Sequence, residues 1–296
     1  MSDRMTVSAE SSAQDSAEQE KKENNEQTAG KGKAQQKRKM PVFYKEPHEK
    51  SRIRHVVAVM SGKGGVGKSM ITTMCALAMQ QTGREAAILD ADVTGPSIPH
   101  AFGLDGGLER RNGVPYARRT KSGIQVVSTN LLLPHDTDPV LWKGALVGSA
   151  IQQFWTEVVY EDVDYLFVDM PPGTGDVPLT VFQMIPVDGV LIVTSPQELV
   201  SMVVEKAINM TKMMSLPVFG IMENMSYFEA PDTKRRYEIF GKSRIDDVAK
   251  RYDLPVLAKI AINPGLATLI DSGRVEEADT SPFAPTISAI LENEAE

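Results

Sequence analysis

An α/β fold, a mostly parallel sheet with helices on both faces, is predicted by three observations. Short apolar runs of strand length recur along the chain, and segments with helical spacing lie between them. The apolar runs are continuous rather than alternating, as strands buried on both faces require. Glycines and carboxylates gather where several of those runs end, the side of such a sheet on which ligands are bound.

Taken in order, the first strand is expected over 55–60 and a helix over 70–81, stopped by Gly83. Residues 86–92 read as a strand running into Asp90 and Asp92, followed by the turn at 94–99. The stretch 103–122 is polar, basic and glycine-containing, suited to a surface loop or a short hairpin. A short strand is expected at 124–128. Helical spacing over 143–160 puts Leu146, Ile151, Phe154, Trp155 and Val158 on one side. The apolar strand 164–169 ends in Asp169 and runs into Pro171-Pro-Gly-Thr-Gly-Asp176. Strands at 189–194, 218–222 and 256–260, with helices at 197–214, 244–252 and 282–292, complete the set.

Composition narrows the function classes. The chain has 296 residues, a 42% hydrophobic share and a net charge of −7, which allows a large core and gives no reason to expect nucleic-acid binding by the body. Its one cysteine, Cys75, excludes an internal disulfide framework and fits a reducing compartment. There is no apolar run of the ~20 residues that span a bilayer and no secretory-type hydrophobic region, so the cytoplasm is expected. Three regions are expected: a disordered polar tail at 1–40, a charged linker at 41–54, and one folded α/β domain at 55–296. The tail is acidic through Glu26 and basic at Lys31, Lys33, Lys37, Arg38 and Lys39, which suits a solubilising leader or a tether to an acidic partner, a membrane surface or nucleic acid.

The most informative stretch is Gly62-Lys63-Gly64-Gly65-Val66-Gly67-Lys68-Ser69, which fits the phosphate-loop pattern G-x-x-x-x-G-K-[ST]. A strand before it and a helix after it are the context that separates this motif from an ordinary glycine-rich turn. Glycines let successive backbone N–H groups turn inward on a phosphate, and the helix N-terminus adds partial positive charge. Lys68 is placed to reach the β- and γ-phosphates, and the Ser69 hydroxyl to bind Mg²⁺. Asp169, at a strand end, is the candidate to hold the same Mg²⁺ with Ser69. Asp92 opens the turn with Gly95 and Pro96 and is the candidate to orient or deprotonate the attacking water, while Asp90 reads as structural or as a support to the metal. Thr174 and Asp176, between glycines, read as a hinge sensing the γ-phosphate. Lys63, directly after the first glycine where most phosphate loops have no lysine, reads on its own as a solvated loop lysine.

The loop with its second lysine resembles the deviant loop of the MinD, ParA and nitrogenase-iron-protein superfamily. Asp90-Ala-Asp-Val-Thr-Gly-Pro-Ser97, Trp142-Lys-Gly144, Asp169-Met-Pro-Pro-Gly-Thr-Gly-Asp176, Pro196-Gln197 and Glu223-Asn-Met-Ser-Tyr-Phe228 resemble the Mrp/ApbC ATPases, over about 56–273. The resemblance implies a MinD-like homodimer that binds and slowly hydrolyses ATP and carries or assembles iron–sulfur clusters. It makes Lys63 the lysine that crosses to the partner's nucleotide, Asp92 the switch I aspartate, Asp169 the Walker B aspartate and Asn224 the reader of adenine.

One departure bears on the cargo. Members with the carrier function continue Ser-Tyr-Phe-x-Cys-Pro-x-Cys, whereas this chain reads Ser226-Tyr-Phe-Glu-Ala-Pro-Asp-Thr233. Ala230 has no donor atom, and the Thr233 hydroxyl is a poor substitute for a soft thiolate. Cys75, in the expected helix after the loop, suits a small buried apolar role. Two functions therefore stand side by side: an ATPase of iron–sulfur assembly, as a homodimer or paired with a cysteine-bearing paralogue and meeting assembly or client proteins, and a MinD/ParA-like nucleotide-switched dimer with a regulatory role and no cluster.

Overall fold

The computed structural model describes residues 41–93, 95–132, 145–197 and 200–293. The polar tail, Thr94 and the Trp142-Lys-Gly144 motif lie outside the described residues. Eleven strands are found among them: β1 (Ile53–Ser61), β2 (Ala86–Asp90), β3 (Glu109–Arg111), β4 (Val114–Tyr116), β5 (Arg118–Arg119), β6 (Gln125–Val127), β7 (Val163–Asp169), β8 (Gly189–Thr194), β9 (Val218–Glu229), β10 (Arg236–Tyr237) and β11 (Val256–Ala261). The α-helices are α1 (Lys68–Gln81), α2 (Ile98–Ala101), α3 (Ala145–Thr156), α4 (Asp176–Met184), α5 (Val200–Met213), α6 (Ile245–Tyr252), α7 (Pro264–Asp271) and α8 (Ala284–Glu292).

The main sheet runs β10-β9-β8-β1-β7-β2-β6-β5, with β11 also paired to β9. All pairings are parallel except those of β10 with β9 and of β5 with β6. β1 is central, between β7 and β8, and its side chains alternate between two cores. Val56, Ala58 and Met60 face α3, α4, α5 and α6, while Val57 and Val59 face α1, α7 and α8. Burial on both faces is why these strands read as unbroken apolar runs, each fully buried Val, Ile or Leu contributing about 1.5–3 kcal/mol. The β5 edge carries Arg118 and Arg119, charges that oppose pairing with another chain.

Several boundaries differ from the expected ones. In α3, Leu146 is 59% exposed, and the buried set is Val147, Ala150, Ile151, Phe154 and Trp155. That set follows i, i+3, i+4, i+7 and i+8, which leaves Leu146 one residue out of phase. Residues 103–122 hold the β3–β4 hairpin. β9 runs seven residues beyond Met222 to Glu229. Three helices were not anticipated, the first being α2 at the end of the expected 94–99 turn. α4 follows the 171–176 turn, and α7 opens on Asn263, whose Oδ1 accepts from Leu266 N at 3.1 Å, with Pro264 in the first turn. The segment before β1 is pinned to the body: Phe43 N and Lys45 N donate to the carbonyls of Gln183 and Met184 at 3.0 and 3.1 Å, and Trp155 Nε1 donates to Lys45 O at 2.7 Å.

Candidate nucleotide site

The carboxyl ends of β1, β7 and β2 form one rim. β1 stops at Ser61, residues 62–67 curl over the end of the sheet, and α1 begins at Lys68. The glycine pattern has local causes here. Gly67 has φ 78°, and a Cβ on it would collide with the Asn224 side-chain amide. A Cβ on Gly62 would strike Val203 of α5, so the loop is wedged under that helix. Lys63, next in line, donates from Nζ to Gln197 Oε1. Across the rim, Gly173 N donates to Ser61 O at 2.9 Å, which sets the 171–176 turn beside the loop. Asp176 lies in the first turn of α4, where a carboxylate complements the helix dipole.

Three carboxylates and one ammonium meet at this point. Asp169 is wholly buried and stands opposite Asp90 in the β2–β7 register. Its Oδ2 accepts from Ser69 Oγ at 2.6 Å, and its Oδ1 from Thr72 Oγ1 at 2.7 Å. Lys68 Nζ, on a side chain 5% exposed, lies 2.7 Å from Asp169 Oδ2 and 3.8 Å from Asp92 Oδ2. Those are ion-pair distances, yet the buried ammonium has no hydrogen bond of proper geometry. A buried donor left in this way costs stability, and a phosphate oxygen is an acceptor that this loop of N–H groups suits. The paired hydroxyl and carboxylate of Ser69 and Asp169 are hard oxygen donors of the kind that Mg²⁺ takes. The residues present fit both groups.

Asp90 lies beneath that group and is itself buried. Burial, then the charge of Asp169, pushes its carboxyl up to about 8, against the opposing pull of Lys68 and a hydrogen bond from Ser128. It accepts from Ser128 Oγ at 3.0 Å and from Asp92 N at 3.2 Å, so it positions the start of the turn that carries Asp92. An acid whose folded pKa is raised holds its proton in the native state after the unfolded chain, near pH 3.9, has released it. The native state then binds more protons, so Asp90's contribution to stability is present at low pH and lost as pH rises from about 4 through 8. Asp90→Asn, which accepts on Oδ1 and donates to Ser128 from Nδ2, is expected to flatten that decline. Thermal melting of nucleotide-free protein from pH 5 to 9 checks this; parallel pH profiles of variant and wild type would refute it.

Among the residues singled out from sequence, the structure brings Lys68, Ser69, Asp92 and Asp169 together, with Asp90 beneath them. Asn224 is buried at the other end of the loop, where its Nδ2 donates to Val66 O at 2.9 Å. Lys63 lies apart from the carboxylates, on Gln197. Thr72 was missed: one helical turn after Lys68 it fixes the orientation of Asp169, and only the i+4 spacing from Lys68 hinted at it. The Ala230–Thr233 segment forms the turn between β9 and β10, closed by bonds from Ala230 N to Arg235 O and from Lys234 N to Ala230 O, at 3.0 and 2.9 Å. Cys75 is wholly buried in α1, and burial pushes its thiol up to about 12, the opposite of what a metal thiolate needs. No cluster of three or more His, Cys, Asp or Glu suited to a metal occurs among the described residues, and none of their helices is long and apolar enough to cross a membrane.

A parallel sheet whose central strand ends in a glycine loop, with a lysine and a hydroxyl at the start of the next helix and an aspartate on the neighbouring strand, defines a P-loop nucleotide-binding protein. Residues 52–294 match the model of the family described as ParA: NUBPL iron-transfer P-loop NTPase, and the chain belongs to that family. It is 41% identical over 231 residues to the iron-sulfur cluster carrier protein of Methanocaldococcus jannaschii, covering 75% of this chain and 78% of the relative. It is 39% identical over 224 residues to the protein of the same name from Aquifex aeolicus, covering 75% of this chain and 61% of that longer relative. A solved nucleotide-binding protein from Archaeoglobus fulgidus in complex with ADP is 41% identical, with a TM-score of 0.69 over 78% of this chain and 92% of its own. The cell-division protein MinD of Aquifex aeolicus, 19% identical with a TM-score of 0.55 over 82% of this chain and 97% of its own, shares the fold.

Proposed function

We propose that this chain binds ATP with Mg²⁺, hydrolyses it slowly as a dimer and works in iron–sulfur cluster assembly or transfer. The observation that carries the ATP part is the buried Lys68 ammonium beside Asp169, under a loop of glycine N–H groups. In this reading Lys68 and the N–H groups of 62–69 bind the phosphates, and Ser69 and Asp169 hold Mg²⁺. When bound, Mg²⁺ neutralises charge on the phosphate oxygens. Asp92, with a side chain 16% exposed, orients the attacking water. Lys63 leaves Gln197 to supply positive charge to the partner subunit's nucleotide. Asn224 retains one N–H and one oxygen lone pair beyond its bonds to Val66 and Met225, the pairing that an adenine edge takes.

The iron–sulfur part is supported by the family and by the names of the relatives. This chain's own residues do not fit a cluster: the turn after β9 offers Ala230 and Thr233, and Cys75 is sealed. The cluster is therefore cargo held by thiolates of another protein, a cysteine-bearing paralogue being the partner that completes the site. The same absence of soft donors favours the second reading, a nucleotide-switched dimer that recruits a partner without any cluster.

Anaerobic reconstitution with iron and sulfide tests the assignment, with wild type and Cys75→Ala alongside and ATP turnover measured on the same samples. The expected outcome is slow turnover by both proteins and no stoichiometric iron on either. Stoichiometric iron on the chain alone would overturn the assignment of the thiolates to a partner. Absence of turnover in the presence of a cysteine-bearing partner would overturn the ATPase reading.

A further inference from the structure

Strand β9 is distorted in mid-run. Met225 has φ 55°, a left-handed setting that is strained for a non-glycine residue and that clusters at functional positions. The pairing with β11 slips across the same stretch, which separates the Lys259–Glu223 pair from Ala261–Tyr227. Such a conformation persists only where its surroundings fix it.

Two buried side chains do so. Asn224, 2% exposed, donates to Val66 O and accepts Met225 N–H on Oδ1, both at 2.9 Å, so the distortion is fastened to the phosphate loop. Glu223, wholly buried, accepts from Ser226 Oγ at 2.6 Å and from Ser243 Oγ at 2.8 Å. A buried carboxylate is costly without hydrogen bonds. Here the two hydroxyls come from opposite ends of one excursion. Ser226 stands just before Tyr227, the last residue of β9 paired with β11 ahead of the hairpin, and Ser243 is where the chain returns before α6. Glu223 closes the base of the β9–β10 hairpin.

We propose that residues 223–226 are a hinge that couples occupancy of the phosphate loop to the posture of the hairpin at 227–241, with Glu223 its positioning residue. The inference rests on the reading of loop 62–69 as the ATP site. Phosphate binding engages N–H groups on either side of the Val66 carbonyl, so a shift of the loop is felt at Asn224, which sits against Gly67 where no methyl group fits. Met225 passes that shift on, because an αL residue that relaxes toward the β region redirects the chain after it. Glu223 fixes the fulcrum. What moves is a surface with exposed Tyr237, Ile239 and Phe240 beside Lys234 and Arg235.

The test is hydrogen–deuterium exchange on the full chain with and without Mg²⁺ and ATPγS, for wild type, Ser243→Ala and Ser243→Thr. Nucleotide affinity is measured in parallel by calorimetry. In wild type, nucleotide should slow exchange across 227–241 by about threefold or more. Ser243→Ala should bind nucleotide within about threefold of wild type and lose that response, while Ser243→Thr, which keeps the hydroxyl, should retain it. Unchanged exchange in β1 and β7 shows that the variants are folded. Wild type that binds nucleotide without a hairpin response, or a Ser243→Ala variant with the full response, would overturn the hinge. Failure of wild type to bind nucleotide would overturn the ATP-site reading, and the coupling with it.

Discussion

Lys68→Ala is expected to weaken Mg·ATP binding by at least about a hundredfold, because charge-assisted hydrogen bonds to phosphate are worth about 1.5–3 kcal/mol each and Lys68 can make more than one. The same change has an effect without nucleotide. Asp169 is wholly buried, with the ammonium 2.7 Å away, and removing one partner of a buried pair costs about 3–5 kcal/mol. The hydroxyls of Ser69 and Thr72 still donate to that carboxylate and should hold the loss toward the lower figure. The variant should therefore melt earlier than wild type and gain no melting temperature from Mg·ATP. Calorimetric titration together with thermal melting reads both effects, and tight binding by the variant would remove Lys68 from the phosphate site.

Lys63→Ala is expected to do the reverse: leave nucleotide affinity and stability close to wild type, and lower turnover by about 10²- to 10³-fold. Lys63 contacts Gln197 and none of the buried carboxylates, so its loss uncovers no charge. Its proposed contribution arises in a dimer, where one cation placed on a developing phosphoryl charge is worth that much. ATP-dependent dimerisation, followed by sedimentation, should fall with turnover. Wild-type turnover and dimerisation in the variant would make Lys63 an ordinary loop residue bound to Gln197.

The sheet was legible because a parallel sheet covered on both faces writes its strands as unbroken apolar runs, and β1, β7 and β8 are such runs. The phosphate loop was legible for a related reason: glycine at 62 and 67 answers close approaches by Val203 and Asn224 that no other residue permits. Less visible were features whose cause lies far away in the chain. Thr72 looks like helix filler until its hydroxyl is found on a carboxylate 97 positions later. Asn224 reaches the loop across 158 positions, and the clasp of Glu223 by Ser226 and Ser243 has no periodicity to betray it. α7 did carry its own signal in Asn263-Pro264, a cap followed by a first-turn proline, but Leu266 is its single buried residue, so it writes no apolar stripe of the kind that marks α6, which has the same length. Leu146 shows the opposite error, in which an apolar residue near the right phase was credited to the core.

The burial of Cys75 has a consequence for life under oxidative stress. A carrier that relies on its own paired thiolates stops working when peroxide reaches them, since thiolate sulfur is the first rung of the oxidation ladder. The single thiol of this chain is packed inside α1 and held in its protonated form, so that route is closed. Oxidants would instead meet methionine, at Met202 and Met213, which stand 51% and 84% exposed on α5. Methionine sulfoxide is enzymatically reversible, so oxidation at those exposed positions would be repairable.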